Sequence, residues 1–142
     1  RNQLYKIYVS SFKYINNWNL VDVTCSHVTG KHLIDKDRTI LYKWAKSEDL
    51  WTKRIAMVST FSFIRKNDLE DTFKIAEILL HDEHDLIHKA VGWMLREAGK
   101  RDIKKEETFL KKYYKTMPRT MLRYSIEKFP ETKRQKYLKG TI

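Results

Sequence analysis

Two residues near the start of the chain, Trp18 and Asp22, have the types and the spacing needed for electrostatic catalysis. They lie four positions apart, so on a helix the indole and the carboxylate project from the same face. A fixed carboxylate in a partly desolvated place stabilises developing positive charge and orients an attacking water molecule. Taken alone, such an acid is more often a solvated or helix-capping group, so the pair needs support from other residues.

A second set of candidate side chains mixes an indole with cations. Trp93 has Lys89 four positions before it and Arg96 three positions after it, which places all three on one helix face. A tryptophan at helical spacing is usually a core residue, yet core stripes seldom carry cations on both sides. Gly92 removes a side chain beside Trp93 and lets a ligand or a neighbouring helix come close. Arg54 can extend from the edge of the core to hold a phosphate, or form a surface ion pair.

A third cluster holds three histidines and three acids, which are His81, Asp82, Glu83, His84, Asp85 and His88. His84 and His88 have the spacing of metal ligands on one helix face. The cluster falls where one predicted helix ends and the next begins, and acids there suit a helix N-terminus. We therefore expect no metal site. The chain also lacks a glycine-rich phosphate loop, a nucleophile elbow and a Cys-x-x-Cys pair, so a kinase, a hydrolase built on a nucleophile elbow and a zinc module have no support.

Helices must position these residues, because the chain has four Gly, two Pro and almost no alternation of apolar and polar residues. Apolar spacing predicts long helices over about 49 to 65, 68 to 80 and 85 to 100. Ser47 and the acids after it suit the first start, and Gly99 is expected to end the third helix. Pro118 and Pro130 mark further helix boundaries. Shorter helices are predicted over about 3 to 14, 18 to 27, 38 to 46, 103 to 115, 119 to 128 and 131 to 139.

Short connections between amphipathic helices force antiparallel neighbours, and a row of such hairpins stacks into a HEAT-like or armadillo-type superhelix. The predicted fold class is therefore all-α, an α-α superhelix of antiparallel helix pairs. No strict internal period is present, so an irregular helical bundle is the alternative. A chain of 142 residues, 42% of them hydrophobic, fits one domain that spans residues 1–142.

The charge balance predicts a polyanionic partner. The chain has 29 Lys and Arg against 18 Asp and Glu, a formal net charge of +11, which makes nucleic acid the first candidate. The lysine-rich stretches at 104–105, 111–112 and 133–136 would add salt-dependent affinity, unless they are simply solvated faces. A single cysteine, Cys25, fits a reducing compartment, and no segment reaches the roughly 18 apolar residues of a membrane span. We expect a cytoplasmic, nucleoid-associated protein.

Four ordered motifs carry a resemblance to a known family. They are NWNLVD at 17–22, LWTKRIA at 50–56, KAVGWMLRE at 89–97 and PRTMLRYSIEKF at 118–129. Together they resemble the AlkD-type family of DNA alkylation repair glycosylases, and the resemblance runs along nearly the whole chain. Members of that family are longer. The resemblance therefore implies that the first helices of the superhelix precede Arg1 and that this chain is the C-terminal portion of a longer protein.

The resemblance implies a superhelix whose concave, basic surface cradles duplex DNA and excises N7- and N3-alkylated purines without a metal or cofactor. Asp22 would be the catalytic carboxylate. Trp18 and Trp93 would flank the deoxyribose and backbone of the lesion, while Arg54 would hold a phosphate nearby. Further candidate DNA contacts are Lys89, Arg96 and Arg123.

Alkylation at N7 or N3 makes a purine cationic and weakens its glycosidic bond, so the enzyme needs to stabilise an oxocarbenium-like deoxyribose rather than protonate a leaving group. Without a convincing amine nucleophile beside Asp22, the reaction would use water and leave an abasic site for base excision repair. The alternative is a non-catalytic HEAT-like scaffold that binds DNA or an acidic protein. Neither hypothesis requires a membrane or an obligate protein partner.

Overall fold

The computed structural model describes residues 38–142, which form eight helices and no strand. In chain order the helices are α1 (Thr39–Ala45), α2 (Leu50–Ser59), α3 (Phe61–Ile64), α4 (Glu70–Leu79), α5 (Asp85–Arg101), α6 (Ile103–Tyr113), α7 (Arg119–Ser125) and α8 (Glu131–Lys139). The predicted all-α class is confirmed over this range, while the superhelical stacking of helix pairs stays a prediction. The helices predicted over 3 to 14 and 18 to 27 lie outside the described residues. Within 38–142 no helix is both long and apolar enough to cross a membrane.

The longest helix, α5, is the centre of the packing. It contacts α2, α3, α4, α6 and α7, whereas α1 packs against α2 and α4. Ile87, Val91, Met94 and Leu95 give α5 a fully buried stripe at helical spacing. Each such side chain contributes about 1.5–3 kcal/mol when it leaves water, so the stripe fixes α5 among its neighbours.

The helix starts follow local capping chemistry. Asp49 and Asp102 each accept a hydrogen bond from the backbone N–H three residues on, at 2.9 and 3.2 Å, and begin α2 and α6. Each cap satisfies one of the N–H groups that the first turn of a helix leaves unpaired. Pro118 and Pro130 immediately precede α7 and α8, which confirms the two boundaries predicted from proline.

Two details of the predicted helices are wrong. The helix predicted over about 49 to 65 is divided at Thr60, whose hydroxyl donates to the carbonyl of Met57 at 2.7 Å. Such local side-chain bonds compete with the regular helical pattern. Gly99 does not end the third long helix, because α5 continues to Arg101 and stops where the backbone of Asp102 is extended.

Both glycines of α5 allow other helices to approach closely. A Cβ on Gly92 would lie 2.5 Å from Cβ of Tyr124 and 2.7 Å from the carbonyl oxygen of Met121. A Cβ on Gly99 would overlap Oε1 of Glu106 and lie 2.6 Å from its Cδ. The missing side chains therefore admit α7 at one point and α6 at the other. The sequence left open whether a ligand or a neighbouring helix comes close at Gly92, and the structure shows that a neighbouring helix, α7, does so.

Candidate nucleic-acid interface

The indole of Trp93 is half-buried and packs against α3. Its ring centroid lies 5.8 Å from that of Phe61, with the two planes inclined by 56°. The guanidinium carbon of Arg65 in turn lies 4.4 Å from the centroid of Phe61. Trp93 is therefore held in place by an aromatic contact while part of it stays accessible, and an indole so held can face a cation. The sequence analysis did not identify Phe61 and Arg65 as neighbours of the candidate site. Their spacing of four residues could have indicated that they contact each other on one helix face.

Lys89 and Arg96 flank Trp93 on α5, and each has an acidic partner. Lys89 pairs with Asp85 at 3.2 Å, and the two side chains are 40% and 57% exposed. An ion pair so exposed contributes little stability, so Lys89 can exchange Asp85 for another anion. Arg96 is more deeply placed and pairs with Glu127, which follows α7.

Arg54 is almost completely buried, with 4% of the residue exposed. Its Nη1 donates a hydrogen bond to the carbonyl of Leu86, in the first turn of α5. The sequence predicted that the guanidinium would extend from the edge of the core, whereas in the structure it lies deeper. This bond ties α2 to the start of the helix that carries Trp93. The phosphate contact of Arg54 stays a prediction.

The connection between α4 and α5 contains the histidine and acid cluster. His84 caps α5, because its Nδ1 accepts from the backbone N–H of Leu86 at 3.1 Å. Nε2 of His88 contacts the carbonyl oxygen of Asp82, whose carboxylate pairs with Lys53 of α2. Burial raises the pKa of Asp82, but hydrogen bonds from Lys53 and from the backbone N–H of His84 outweigh it and lower that pKa overall. Within residues 38–142 no three metal-ligating side chains converge.

Arg123 is exposed on α7 and borders an open groove of about 480 Å³. The groove is lined by Arg123, Tyr124, Glu127, Glu131 and Arg134. Arg134 is paired with Glu131 at 2.9 Å, and Glu127 holds Arg96 at the edge of the groove. The groove therefore lies between α7 and α8 and carries side chains of both charges, and the ion pair of Glu127 with Arg96 links it to α5.

The positive charge of the chain is concentrated towards its C-terminus. Residues 100–142 contain 14 Lys and Arg against five Asp and Glu, a net of +9, whereas residues 1–99 contain 15 against 13, a net of +2. Most of these cations, including the lysines at 104–105 and 111–112, are exposed. A polyanion would therefore be attracted mainly to α6, α7 and α8 and the segments between them.

Five of the predicted site residues are described, and all lie on α5 or on a helix packed against it. They are Lys89, Trp93 and Arg96 on α5, Arg54 on α2 and Arg123 on α7. Trp18 and Asp22 lie outside the described residues, so the catalytic pair stays a prediction. The geometry gathers an indole and several cations around one helix, which suits a contact with a sugar-phosphate backbone.

Comparison with known proteins places the chain in a family. The sequence profile described as DNA alkylation repair enzyme matches residues 1–129. Among curated proteins, no sequence matches the chain. The family match spans most of the 142 residues and includes every residue of the predicted site. The chain therefore belongs to the DNA alkylation repair enzyme family, all-helical throughout residues 38–142.

Proposed function

We propose that this chain is a DNA glycosylase that excises cationic N7- and N3-alkylated purines from duplex DNA. Membership of the family supports a role in DNA alkylation repair with DNA as the substrate. The observation that carries the finer proposal is Trp93, half-buried against Phe61 on a helix face that also carries Lys89 and Arg96. A fixed indole beside cations can meet a positively charged sugar through its π face while the cations hold the phosphates on either side.

The proposed reaction is hydrolysis of one N-glycosidic bond. The alkylated base carries a positive charge, so it leaves as a neutral molecule when it takes the electron pair of that bond. The deoxyribose left behind is cationic, and Asp22 and the indoles of Trp18 and Trp93 would stabilise it. Water then gives its hydroxyl to C1′ and loses a proton, which leaves an abasic site. This reaction requires neither a metal nor protonation of the leaving base.

The binding part of the proposal rests on cations around α5. Lys89 is held by an exposed ion pair that contributes little, and Arg123 is exposed at the groove beside α7. Contacts of this kind release counterions from the duplex, so affinity should fall steeply as salt concentration rises. They also carry no sequence information, which fits an enzyme that must find a lesion in any sequence context.

The test is release of 7-methylguanine from methylated duplex DNA, with Asp22→Asn as the key variant. We expect release to fall by at least about a hundredfold, the usual effect of removing a group that stabilises transition-state charge. Asp35→Asn makes the same chemical change outside the four motifs and should leave release intact. Full release by Asp22→Asn would refute the catalytic assignment. If no variant releases base while all bind duplex DNA with a steep salt dependence, the non-catalytic scaffold replaces the enzyme.

A further inference from the structure

A small cleft lies between α5, α6 and the segment that follows α7. It has a volume of about 190 Å³, and its lining includes Arg96, Lys100, Ile103, Glu106, Lys128 and Phe129. Ile103 and Phe129 supply apolar walls, whereas the remaining four side chains are titratable. Lys100 and Lys128 are exposed and stand at the rim. Of the residues assigned to DNA binding above, this cleft contains only Arg96.

The buried acid in the cleft is Glu106, of which 1% is exposed. Its Oε2 has no hydrogen-bond partner among residues 38–142. Burial, reinforced by the neighbouring carboxylate of Glu107, raises the pKa of Glu106 to about 9, although Arg96 acts in the opposite direction. At neutral pH the side chain is therefore an uncharged carboxylic acid with an O–H group available to donate.

Apart from Ser125, whose hydroxyl donates to the carbonyl of Met121 at 2.7 Å, the other polar groups of the cleft are cationic donors. Nε of Arg96 is buried and, like Oε2 of Glu106, has no hydrogen-bond partner in the described part of the chain, although the carboxylate of Glu97 lies 3.9 Å from this nitrogen. Lys100 pairs with Glu97 at 2.8 Å, a surface contact that other anions can replace. Lys128 is exposed and has no ion-pair partner within residues 38–142. Buried polar groups without partners are uncommon and call for a ligand or water that satisfies them.

We propose that this cleft binds a doubly charged tetrahedral oxyanion such as a phosphoryl group, with Arg96 and Lys128 supplying charge and Glu106 donating a hydrogen bond. The cleft is several times larger than the roughly 30 Å³ occupied by one water molecule, so an oxyanion and its remaining water fit. A cationic ligand is disfavoured by the three cations already present. The inference does not rest on glycosylase activity, because it concerns binding of an anion without DNA.

Two sources could provide this group, a free phosphate ion or the terminal phosphate of a cut DNA strand. Calorimetric titration with sulfate, at constant ionic strength maintained with chloride, measures the affinity of the cleft for a tetrahedral dianion, which is the chemistry that both sources share. A 5′-phosphorylated duplex and its unphosphorylated counterpart then identify the source. Competition with sulfate by the phosphorylated duplex alone would assign the cleft to strand ends, and its failure to compete would assign the cleft to the free ion.

The key variant is Lys128→Gln, with Lys66→Gln as the matched control. Both remove one exposed lysine charge, but Lys66 does not line the cleft. We expect Lys128→Gln to weaken sulfate binding roughly tenfold, the loss typical of one charge-assisted hydrogen bond, and Lys66→Gln to change it little. Equal effects of the two variants, or heats of sulfate no larger than those of chloride, would overturn the proposal.

The acid provides a second, independent readout. Sulfate keeps its charge between pH 7 and 9.5, so a pH effect there comes from the protein. The titratable groups that face Glu106 are Arg96 and Lys100 on α5, Glu107 on α6, Lys128 after α7 and Tyr137 on α8. Burial and the nearby carboxylates raise the pKa of Tyr137 above its usual value, so its phenol stays neutral over this range. With the pKa of Glu106 at about 9, its ionisation should weaken binding about fourfold by pH 9.5. Glu106→Gln keeps a donor that does not titrate and should remove this loss. An identical pH profile in that variant would refute the role of Glu106.

Discussion

The carboxyl group of Glu106 occupies the space that Gly99 leaves on the surface of α5. A Cβ at Gly99 would overlap Oε1 of Glu106 and lie 2.6 Å from its Cδ. The close approach of α6 to α5 therefore removes this acid from water, and 1% of the residue remains exposed. Desolvation disfavours the charged form, which is why the pKa of Glu106 rises to about 9.

The raised pKa predicts that the protein loses stability as the pH rises. Between the unfolded pKa of about 4.5 and the folded pKa of about 9, the folded state holds a proton that the unfolded state releases. Glu106 therefore reduces the free energy of unfolding by up to about 1.4 kcal/mol for each pH unit in this window. Glu106→Gln should have similar stability near pH 5 and be clearly more stable at pH 8 to 9. Urea denaturation of both proteins across this range measures the difference, and parallel pH profiles would contradict the prediction.

Gly92→Ala should destabilise the protein, although alanine is the better helix former. The new Cβ would lie 2.5 Å from Cβ of Tyr124 and 2.7 Å from the carbonyl oxygen of Met121, so α7 would have to move. We expect a loss of about 1–3 kcal/mol from overpacking, which outweighs the gain of about 1 kcal/mol from helix propensity. Thermal unfolding of Gly92→Ala measures this loss of stability. The control is Lys105→Ala, which changes an exposed residue of α6. A more stable Gly92→Ala protein would show that α5 and α7 are less closely packed.

Glu127→Gln should strengthen binding to undamaged duplex DNA. Glu127 holds the guanidinium of Arg96, and its removal frees that cation and lowers the negative charge of the groove beside Arg123. We expect an affinity several-fold higher at low salt and a steeper dependence on salt concentration. Glu70→Gln is the control, because it removes an acid that pairs with Lys74 on α4, away from the groove. Equal gains from both variants would indicate a general effect of net charge.

The pair formed by Lys53 and Asp82 should stabilise the protein at neutral pH and cease to do so in acid. The folded pKa of Asp82 is lowered, so its contribution is present above the unfolded value of 3.8 and is lost as the pH falls through the folded value. Asp82→Asn should cost about 1–3 kcal/mol at pH 7, because the partly buried Lys53 loses its partner. A double-mutant cycle with Lys53→Met, measured at pH 7 and pH 3.5, isolates the pair. A coupling free energy that does not shrink in acid would exclude this ionic contribution.

The sequence by itself determined the helical class and most of the helix boundaries within residues 38–142. Apolar spacing located α5, and proline located the starts of α7 and α8, because these signals act through neighbouring residues in the chain. It also brought Lys89, Trp93 and Arg96 to one face of α5, since helical geometry fixes which positions share a face. The four motifs indicated the family, which the profile match over residues 1–129 shows independently.

Only the tertiary structure decided what each of these side chains meets. Arg54 became buried under the first turn of α5, and Gly99, expected to end a helix, became the gap that receives Glu106. Glu106 stands in a stretch of lysines and acids that predicts a solvated surface, and nothing near it in sequence suggests a neutral carboxyl. Burial and electrostatic environment depend on contacts between helices that are distant in sequence, so local patterns cannot specify them.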